Sequence, residues 1–433
     1  MSFTQVLLRH IEEPGSHTLD FFLSHGGYEA ARKVITSMKP QEVIDLVKAS
    51  GLRGRGGAGF PCGGKWDFVP KQSPKPRYLV CNADESEPGT FKDRCLLERY
   101  PHETLEGCLI AAYAIGSSQC YIYIRGEFGM GYRVLRAAVD EAYERGFLGR
   151  NLFGTGFGLE VTIHRGAGAY ICGEETGLLS SLEGKRGYPK IKPPFPALEG
   201  LFGCPTIINN VETLATLPHI VLKGVPWFKS MGTEKSPGPK IYGVSGHVKK
   251  PGLYEMPLGT TARTIIWDCA GGMKDERRFK GVIPGGSSSG VLTEAELDTV
   301  LDFDTLMGKG MILGTAGLIV MDETVCMVDA LWNLQRFYHH ESCGQCTPCR
   351  EGTGWIEKML EKLEMGHGKP GDVELLLETA NNMCGRTICA FADGAAIPVR
   401  AFVERFKVEF NEHIDKRRCP VKVSEKTTIL RHP

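Results

Sequence analysis

Three cysteines within seven residues are the part of this sequence with the clearest chemistry. The run is Cys343-Gly-Gln-Cys346-Thr-Pro-Cys349, and further cysteines follow at positions 384, 389 and 419. A cubane iron–sulfur cluster needs four converging thiolates, and a CxxCxxC loop supplies three of them from one turn. A structural zinc site usually pairs two separate CxxC hairpins, and the sequence has no second one. The spacing therefore predicts a [4Fe-4S] cluster, which moves single electrons.

Spacing leaves the fourth cluster ligand open. Cys419 precedes a proline, as the remote ligand of two-cluster ferredoxins does, but it lies in a basic tail. Cys384 and Cys389 both lie between two segments with helical character, where a loop could fold back onto the triplet. Both remain candidates.

A glycine-rich loop is the second candidate site. Residues Gly54-Arg-Gly56-Gly57-Ala-Gly59 match GxGxxG, but they follow a helical segment and lack an acidic residue about 20 positions later, unlike a dinucleotide fingerprint. The glycines nevertheless expose main chain beside Arg53, Arg55 and Lys65. Such an electropositive surface suits a phosphate or a flat ring, although a structural turn is the alternative.

Polar residues also follow the strand-like segments. Asn82-Ala-Asp84-Glu85-Ser86-Glu87 begins where a strand is expected to end, and could be a solvated turn or could accept hydrogen bonds from ribose or ring N–H groups. The run 166–176 has the strand–glycine loop–helix order that suits an anion, although Glu174 and Glu175 could simply be first-turn helix charges. Asn209 and Asn210 offer paired amides to a flavin edge, or form a plain turn.

The segment Lys192-Pro-Pro-Phe195-Pro is stiff and polyproline-like. It predicts either a linker or a support that holds Phe195 as a stacking platform.

Composition limits the class of protein. The 433 residues carry 51 basic and 51 acidic side chains, which gives no basic field for nucleic acid and no polybasic membrane patch. No apolar run approaches the ~18–20 residues that span a bilayer, and the first residues resemble neither a signal nor a transit peptide. Fifteen cysteines without a disulfide-like array fit a reducing compartment. We expect two to four domains in a soluble, cytosol-facing redox protein.

The elements that must position these residues follow from the hydrophobic pattern. Apolar strands at 78–82, 120–124 and 159–163 alternate with helices near 103–115 and 130–145, which predicts an α/β fold. Two short helices, 28–37 and 41–49, precede the glycine-rich loop at 51–64. After a Pro/Gly-rich break at 236–241, short strands at 240–246, 252–255 and 281–283 surround a helix at 261–270, as in a β-grasp unit. Four helices then form a bundle, at 325–340, 350–365, 371–383 and 394–413.

These elements divide the chain into five predicted parts. They are N-terminal helices with the glycine-rich loop (1–75), an α/β domain (76–238), a β-grasp domain (239–324), a four-helix domain (325–415) and a flexible tail (416–433). The cysteine triplet joins the first two helices of the bundle, and Cys389 joins the last two. Both loops can therefore lie at one end of the bundle.

The whole constellation resembles the flavoprotein, NADH-oxidising subunit of respiratory NADH:quinone oxidoreductase (complex I). The matching runs cover 51–60, 81–90, 166–178 and 341–350, and the likeness extends from about residue 27 to about residue 412. The resemblance implies a Rossmann-like α/β domain for FMN and NADH, a β-grasp insert of the soluble-ligand-binding (SLBB) type, and a helical bundle that carries one [4Fe-4S] cluster. It further implies hydride transfer from NADH to FMN, followed by one-electron transfer to the cluster.

The resemblance also assigns residues. FMN would contact Gly54, Gly56, Lys65, Asn82, Asp84, Glu85, Tyr170, Glu174, Asn209, Asn210 and Thr213. NADH would contact Phe60, Phe68, Glu87, Glu175, Lys192 and Phe195, with the phenylalanines around adenine. Arg55, Gly57, Gly59, Ser86 and Gly173 lie in the same motifs and complete the expected cofactor-binding set. Glu85, Glu87 and Glu175 are the candidates for catalytic roles. The cluster ligands would be Cys343, Cys346, Cys349 and Cys389.

The family implies partners and a location as well. The expected partners are a thioredoxin-like [2Fe-2S] subunit and a large multi-cluster iron–sulfur subunit, in a complex on the cytoplasmic face of the bacterial inner membrane. This chain would meet the membrane only indirectly, as a peripheral subunit. One departure stands out: Cys62 replaces the usual Thr or Ser, and Gly64 replaces a bulkier residue, which would place a thiol beside the nucleotide cleft.

Two other interpretations compete. The chain could be the diaphorase subunit of an NAD-linked hydrogenase or formate dehydrogenase, but it has no additional CxxCxxC module and little room at either end. It could also be a non-catalytic iron–sulfur adaptor of the sodium-pumping electron-transport type. The phenylalanine trio and the two glutamates Glu87 and Glu175 argue against an adaptor.

Overall fold

A computed structural model describes residues 3–422 of the chain. Four helices precede the first strand: α1 (Leu19–Ser24), α2 (Glu29–Ser37), α3 (Pro40–Ser50) and α4 (Cys62–Asp67). Helix α3 begins with a proline, which suits a first turn, and ends at Gly51 in the left-handed conformation (φ 72°). The two predicted short helices are confirmed, but helix α4 begins inside the predicted glycine-rich loop.

A parallel four-stranded sheet forms the centre of the α/β region. Its elements in chain order are β1 (Tyr78–Ala83), α5 (Lys92–Arg99), α6 (Pro101–Ile115), β2 (Gln119–Ile124), α7 (Gly129–Glu144), β3 (Glu160–Arg165), α8 (Glu175–Leu182), β4 (Thr206–Asn210) and α9 (Val211–Lys229). The strand order is β3-β2-β1-β4. The chain therefore runs outward from β1 to β3 and then returns to the other side of β1, which places a topological switch point between β1 and β4.

A second sheet follows, with four strands and mixed directions. Its elements are β5 (Pro239–Gly246), β6 (Gly252–Pro257), β7 (Phe279–Ile283), α10 (Phe303–Gly308) and β8 (Gly317–Asp322). The strand order is β6-β5-β8-β7, so the sequence pattern missed a central strand, β8. Periodicity does not separate a short, fully apolar strand from a buried helix. The predicted helix at 261–270 is present, as a π-helix over Thr264–Cys269.

Four helices complete the described chain and confirm the predicted helical region. They are α11 (Met327–Glu341), α12 (Thr347–Glu364), α13 (Asp372–Met383) and α14 (Phe391–Lys416). They alternate in direction, so the α11–α12 and α13–α14 loops lie at the same end. None of the helices within residues 3–422 combines the length and the apolar character that crossing a bilayer requires.

The prediction of a flexible tail from residue 416 is wrong for its first part. Lys416 is still in helix α14, and the Nζ atom of Lys422 lies 2.8 Å from an oxygen of Asp329 and 2.9 Å from an oxygen of Glu364. These ion pairs hold the segment against the start of α11 and the end of α12. The remaining predicted tail, 423–433, lies outside the described residues.

A buried carboxylate joins the two sheets. Glu212, near the start of α9, accepts hydrogen bonds from Lys240 Nζ at 2.6 Å and from the Ile241 N–H at 3.0 Å, both on β5. Lys92 Nζ, on α5, lies 2.9 Å from the same carboxylate. Burial alone would raise the pKa of Glu212, but the lysines hold it at about 2. Glu212 is therefore ionised, and it fastens β5 to the α/β layer.

Close packing of α6 on α9 gives a testable consequence. A Cβ atom on Gly107 would lie 2.1 Å from the carbonyl oxygen of Leu214, whereas one on Gly308 in α10 would meet no atom within 4 Å. Alanine favours a helix over glycine by about 1 kcal/mol, so propensity alone would stabilise both variants. We expect Gly107→Ala to destabilise by about 2 kcal/mol instead, because the two helices must separate. Thermal unfolding followed by circular dichroism measures this difference, with Gly308→Ala as the control; equal midpoints for both variants would contradict the packing.

Candidate functional site

A cavity of about 450 Å³ opens at the carboxyl ends of β1 and β4, at the switch point of the first sheet. Parallel α/β sheets bind their ligands at this place. Its walls come from all three regions of the chain. The predicted cofactor-binding residues that line it are Gly56, Gly57, Asn82, Asp84, Glu85, Ser86, Glu87, Tyr170, Gly173, Glu174 and Asn210.

The glycine-rich loop forms one wall with its main chain. The Gly54 N–H donates to the Phe60 carbonyl at 2.8 Å, and Arg53 Nε donates to the Gly59 carbonyl at 2.7 Å, so the loop is closed on itself. A Cβ atom on Gly56 would lie 2.9 Å from Cβ of Asn210, which explains why this position has no side chain. Gly57 has φ +138° and open space around it. A flat ligand can therefore approach the backbone here.

Three polar residues at the cavity cap helices. Glu85 accepts hydrogen bonds from the Asp93 and Arg94 N–H groups at the start of α5, at 2.8 and 3.0 Å. Glu174 accepts from the first N–H groups of α8, and Asn210 accepts from the first turn of α9. Burial and the nearby Asp93 raise the pKa of Glu85 to about 7. Each oxygen of Glu85 thus accepts one N–H, and the carboxylate positions the start of α5 at the cavity.

Asp84 and Ser86 differ from these helix-capping residues, because each has a buried polar atom without a hydrogen-bond partner. Asp84 Oδ2 and Ser86 Oγ are buried without a hydrogen-bond partner in the protein. Burial raises the pKa of Asp84 to about 7, although Arg125 lowers it. Buried polar atoms are rarely left unpaired, so these two groups are suited to a polar ligand.

Glu87 connects the α/β region to the β-grasp region. Its carboxylate accepts from the Ser288 N–H at 2.6 Å, from Ser287 Oγ at 3.1 Å and from the Tyr170 hydroxyl. Burial raises its pKa, and these donors partly offset the effect. These serines were not among the predicted site residues, although the run Gly285-Gly-Ser-Ser-Ser-Gly290 was an available signal. Phe303 and Thr315 line the cavity as well and were not predicted either.

A second group of predicted residues lies beside the cavity and carries charge and exposed rings. Glu175 bridges two lysines, with Lys65 Nζ at 2.7 Å and Lys192 Nζ at 3.0 Å. Burial alone would raise the pKa of Glu175, but the two lysines lower it. Phe60, Phe68 and Phe195 are exposed by 52%, 61% and 56%. Large exposed aromatic rings provide stacking surfaces for a flat ligand.

Other predicted residues have their side chains turned into the protein. Arg55 is fully buried, and its guanidinium group donates to the Pro237 carbonyl at 2.8 Å. Its main-chain N–H donates to Thr213 Oγ1 at 2.8 Å. The amide oxygen of Asn209 accepts from Trp66 Nε1 at 2.9 Å. Cys62 is only 1% exposed, and its sulfur lies 3.6 Å from Asn209 Nδ2. The sequence predicted that the Cys62 thiol would lie beside the nucleotide cleft. This prediction is wrong, because helix α4 turns the Cys62 side chain inward.

The cysteines lie at the loop end of the helical region. Cys343 and Cys346 follow α11, and Cys349 lies in the first turn of α12. Burial raises the pKa of the Cys389 thiol to about 12, with smaller contributions from Glu174, Cys343 and Cys349. Burial also raises the pKa of the Cys384 thiol, and the charged groups that act on it are Arg400 and Asp393. Cys419 lies at the other end of the helices, beside Cys326.

The cavity and the cysteine loop share a wall. Ala390 and Phe391, which follow Cys389 directly, line the cavity. The ring of Tyr170 lies 5.7 Å from the ring of Phe391, and the Tyr170 N–H donates to Glu341, just before the cysteine triplet, at 3.0 Å. A group in the cavity would therefore lie next to the thiols.

Fold and site together define an electron-transfer class of protein, in which a ligand cavity at an α/β switch point adjoins a cysteine loop. Family comparisons agree with this class. Residues 47–219 match the "Nuo51 FMN-binding domain", residues 241–292 the "SLBB domain", and residues 329–413 the "NADH-ubiquinone oxidoreductase-F iron-sulfur binding region". The predicted fold class is confirmed.

Relatives that align over almost the whole chain identify the family more specifically than the domain matches do. An F subunit of NADH-quinone oxidoreductase from Rhizobium meliloti is 53% identical over 96% of this chain and 99% of its own length. The F subunit of the NADH-quinone oxidoreductase of Mycobacterium tuberculosis is 52% identical over 96% of this chain and 95% of its own. The chain belongs to this family of NADH-quinone oxidoreductase F subunits, and the resemblance found in the sequence is confirmed.

A solved structure shares the fold. An NAD+-reducing [NiFe]-hydrogenase chain superimposes with a TM-score of 0.81, at 35% identity, over 96% of this chain and 67% of that chain. The relatives therefore show the family, and the solved structure shows that a hydrogenase chain has the same fold.

Asp84 gives a pH-dependent prediction. Its pKa of about 7 in the folded chain exceeds the ordinary aspartate value of about 3.9, so the folded state keeps a proton that the unfolded chain has lost. This group therefore costs stability as pH rises from about 4 to about 7, and the cost is constant above that range. We expect the unfolding temperature of ligand-free Asp84→Asn, measured relative to that of the wild type, to increase between pH ~5 and pH ~8. Asp140→Asn, at an exposed carboxylate, is the control; a difference that does not change with pH would contradict the assignment.

Proposed function

We propose that this chain oxidises NADH through bound FMN and delivers the electrons one at a time to a [4Fe-4S] cluster, as the electron-input subunit of a complex I-like NADH:quinone oxidoreductase. The shared wall of Ala390 and Phe391 carries the proposal, because it brings the cavity next to Cys389. The family matches support the same cofactors.

The cavity fits a flavin. FMN supplies the chemistry of accepting a hydride and releasing single electrons. The unpaired Asp84 Oδ2 and Ser86 Oγ are suited to its polar groups, and the main chain of the glycine-rich loop to its flat ring. We propose that Asn82, Tyr170, Glu174 and Asn210 complete this contact set, whereas Arg55, Asn209 and Thr213 support it from within the protein.

The nucleotide is proposed to bind over the charged group beside the cavity. Lys192 and Glu175 would hold its ribose and phosphate groups, and Glu87 would orient the nicotinamide end. The exposed rings of Phe60, Phe68 and Phe195 would stack on adenine. No side chain needs to act as a nucleophile; the residues set distance, stacking and charge.

The cluster ligands are proposed to be the triplet cysteines together with Cys389. Cys343 and Cys349 are among the groups that raise the pKa of Cys389, whereas Arg400 and Asp393 are the charged groups that act on the pKa of Cys384. This difference in surroundings favours Cys389 over Cys384 as the fourth ligand.

Subunits of this family act within larger complexes. We propose as partners a thioredoxin-like [2Fe-2S] subunit and a large multi-cluster iron–sulfur subunit, and as location the cytoplasmic face of the bacterial inner membrane. The proposed domain limits are 76–238, 239–324 and 325–415. A hydrogenase diaphorase is the second candidate on the structural likeness, but 53% identity to a quinone oxidoreductase subunit exceeds 35% identity to the hydrogenase chain.

Anaerobic titration of the purified chain with NADH tests the proposal. We expect loss of the flavin absorbance, and persistent colour at excess NADH would contradict the function. Phe195→Ala removes a stacking ring and should raise the NADH concentration for half-reduction by about tenfold, with flavin content unchanged. Trp355→Ala, which removes a 57% exposed ring on α12, is the matched control and should titrate like the wild type.

A pair of cysteine variants tests the cluster. Cys389→Ser should abolish the electron paramagnetic resonance signal of the reduced four-iron cluster and lower the iron content. Cys384→Ser, at a thiol five residues earlier in the same loop, should leave both unchanged. The reverse result would reassign the fourth ligand.

A further inference from the structure

A second set of metal-ligating side chains lies far from the proposed cofactor sites. One sulfur, one carboxylate oxygen, one ring nitrogen and a second sulfur lie within 4.8 Å of one another. We call this set the C-terminal cluster; it consists of Cys326, Glu364, His413 and Cys419.

The spacing within the C-terminal cluster fits a small cation. The Cys326 sulfur lies 3.2 Å from Glu364 Oε2 and 3.3 Å from His413 Nε2, and the latter two atoms are 3.1 Å apart. Tetrahedral zinc bonds of about 2.0–2.3 Å place neighbouring ligand atoms roughly 3.3–3.8 Å apart. The observed separations are at or just below this range, so a small shift of the side chains away from one another would give the spacing of a zinc shell.

A main-chain carbonyl orients the His413 ring within the cluster. His413 Nδ1 lies 2.8 Å from the Glu409 carbonyl oxygen, which can only accept, so the Nδ1 proton is held there. In the neutral ring, Nε2 then carries a lone pair that faces the Cys326 sulfur and the Glu364 carboxylate. Metal-binding histidines are held in the same way, through the hydrogen bond of the other ring nitrogen.

Main-chain N–H groups lie next to both sulfurs. Cys326 is the N-cap of α11, and its sulfur accepts from the Asp329 N–H at 3.4 Å. The N–H groups of Val421 and Lys422 approach the Cys419 sulfur. Helix N-termini and main-chain N–H groups favour the anionic sulfur that binds metal. Lys422, which pairs with the other oxygen of Glu364, supplies positive charge next to a set rich in anionic ligands.

From this geometry we propose that the C-terminal cluster binds a structural zinc ion. Mixed sulfur, nitrogen and oxygen donors in a tetrahedron suit zinc better than magnesium or calcium, which prefer oxygen. Four protein ligands close the shell and leave no position for substrate, so the ion has a structural role. The ion would connect four parts of the chain: the start of α11, the end of α12, helix α14, and the segment that follows α14.

The proposed ion is not part of the electron path. Glu364 is the last residue of α12, and Cys349 lies in the first turn of that helix. Fifteen helical steps separate them by about 22 Å. Zinc is redox-inactive, so the site would hold the far end of the helices together while the thiols at the near end carry the iron.

Metal analysis of the full-length chain, purified without chelators, tests the proposal. We expect about one zinc ion per chain beside about four iron ions. Cys326→Ser should lose most of the zinc and keep the iron, and Cys269→Ser, at a half-buried thiol at the end of the π-helix, should keep both. Wild-type protein without zinc, or Cys326→Ser with undiminished zinc, would overturn the proposal.

Two measurements on the wild type keep the test valid if Cys326→Ser fails to fold. X-ray absorption at the zinc edge should give about two sulfur and about two nitrogen or oxygen neighbours; a shell of sulfur alone, or without sulfur, would overturn the assignment. Mass spectrometry after alkylation of the denatured, unreduced chain should find Cys326 and Cys419 alkylated. A disulfide between them would equally refute the metal site.

Discussion

The order of the first sheet is the constraint on which the site depends. Because β4 pairs with β1 on the side opposite β2, the loops after these two strands diverge, and a cavity opens between them. Asn82 and Asn210 are register partners at the ends of these strands. The residues that follow each strand therefore face the same space, although they lie more than a hundred positions apart in the chain.

Buried charge fixes the position of that space. Glu212 holds β5 through Lys240 and contacts Lys92, while Asn210 Nδ2 donates to Asp93 at 2.6 Å. Asp93 in turn donates its N–H to Glu85. Breaking a buried pair of this kind typically costs about 3–5 kcal/mol, because a charge is left without its partner. The second sheet is thus not merely an insert; it braces the helices whose first residues line the cavity, and its serines hold Glu87.

The helical region has a different role at each end. Its loop end brings Cys389 towards the triplet and places Phe391 against Tyr170, so that electrons would need to cross only a thin wall. At its other end the C-terminal cluster gathers the helix termini. The helices α11 and α12 are long enough to keep these two ends apart, which separates chemistry at iron from the proposed bracing by zinc.

The sequence by itself determined the local features: the cysteine triplet, the glycine-rich loop, the helical region and the parallel α/β pattern, because spacing and periodicity are properties of neighbouring residues. It placed Cys62 beside the cleft, and it did not show that Ser288 faces Glu87 or that Cys419 meets Cys326. Those relations join residues far apart in the chain, and they depend on strand order, helix direction and which face of a helix is buried. Only the tertiary structure decides them, since packing, not local pattern, brings such side chains together.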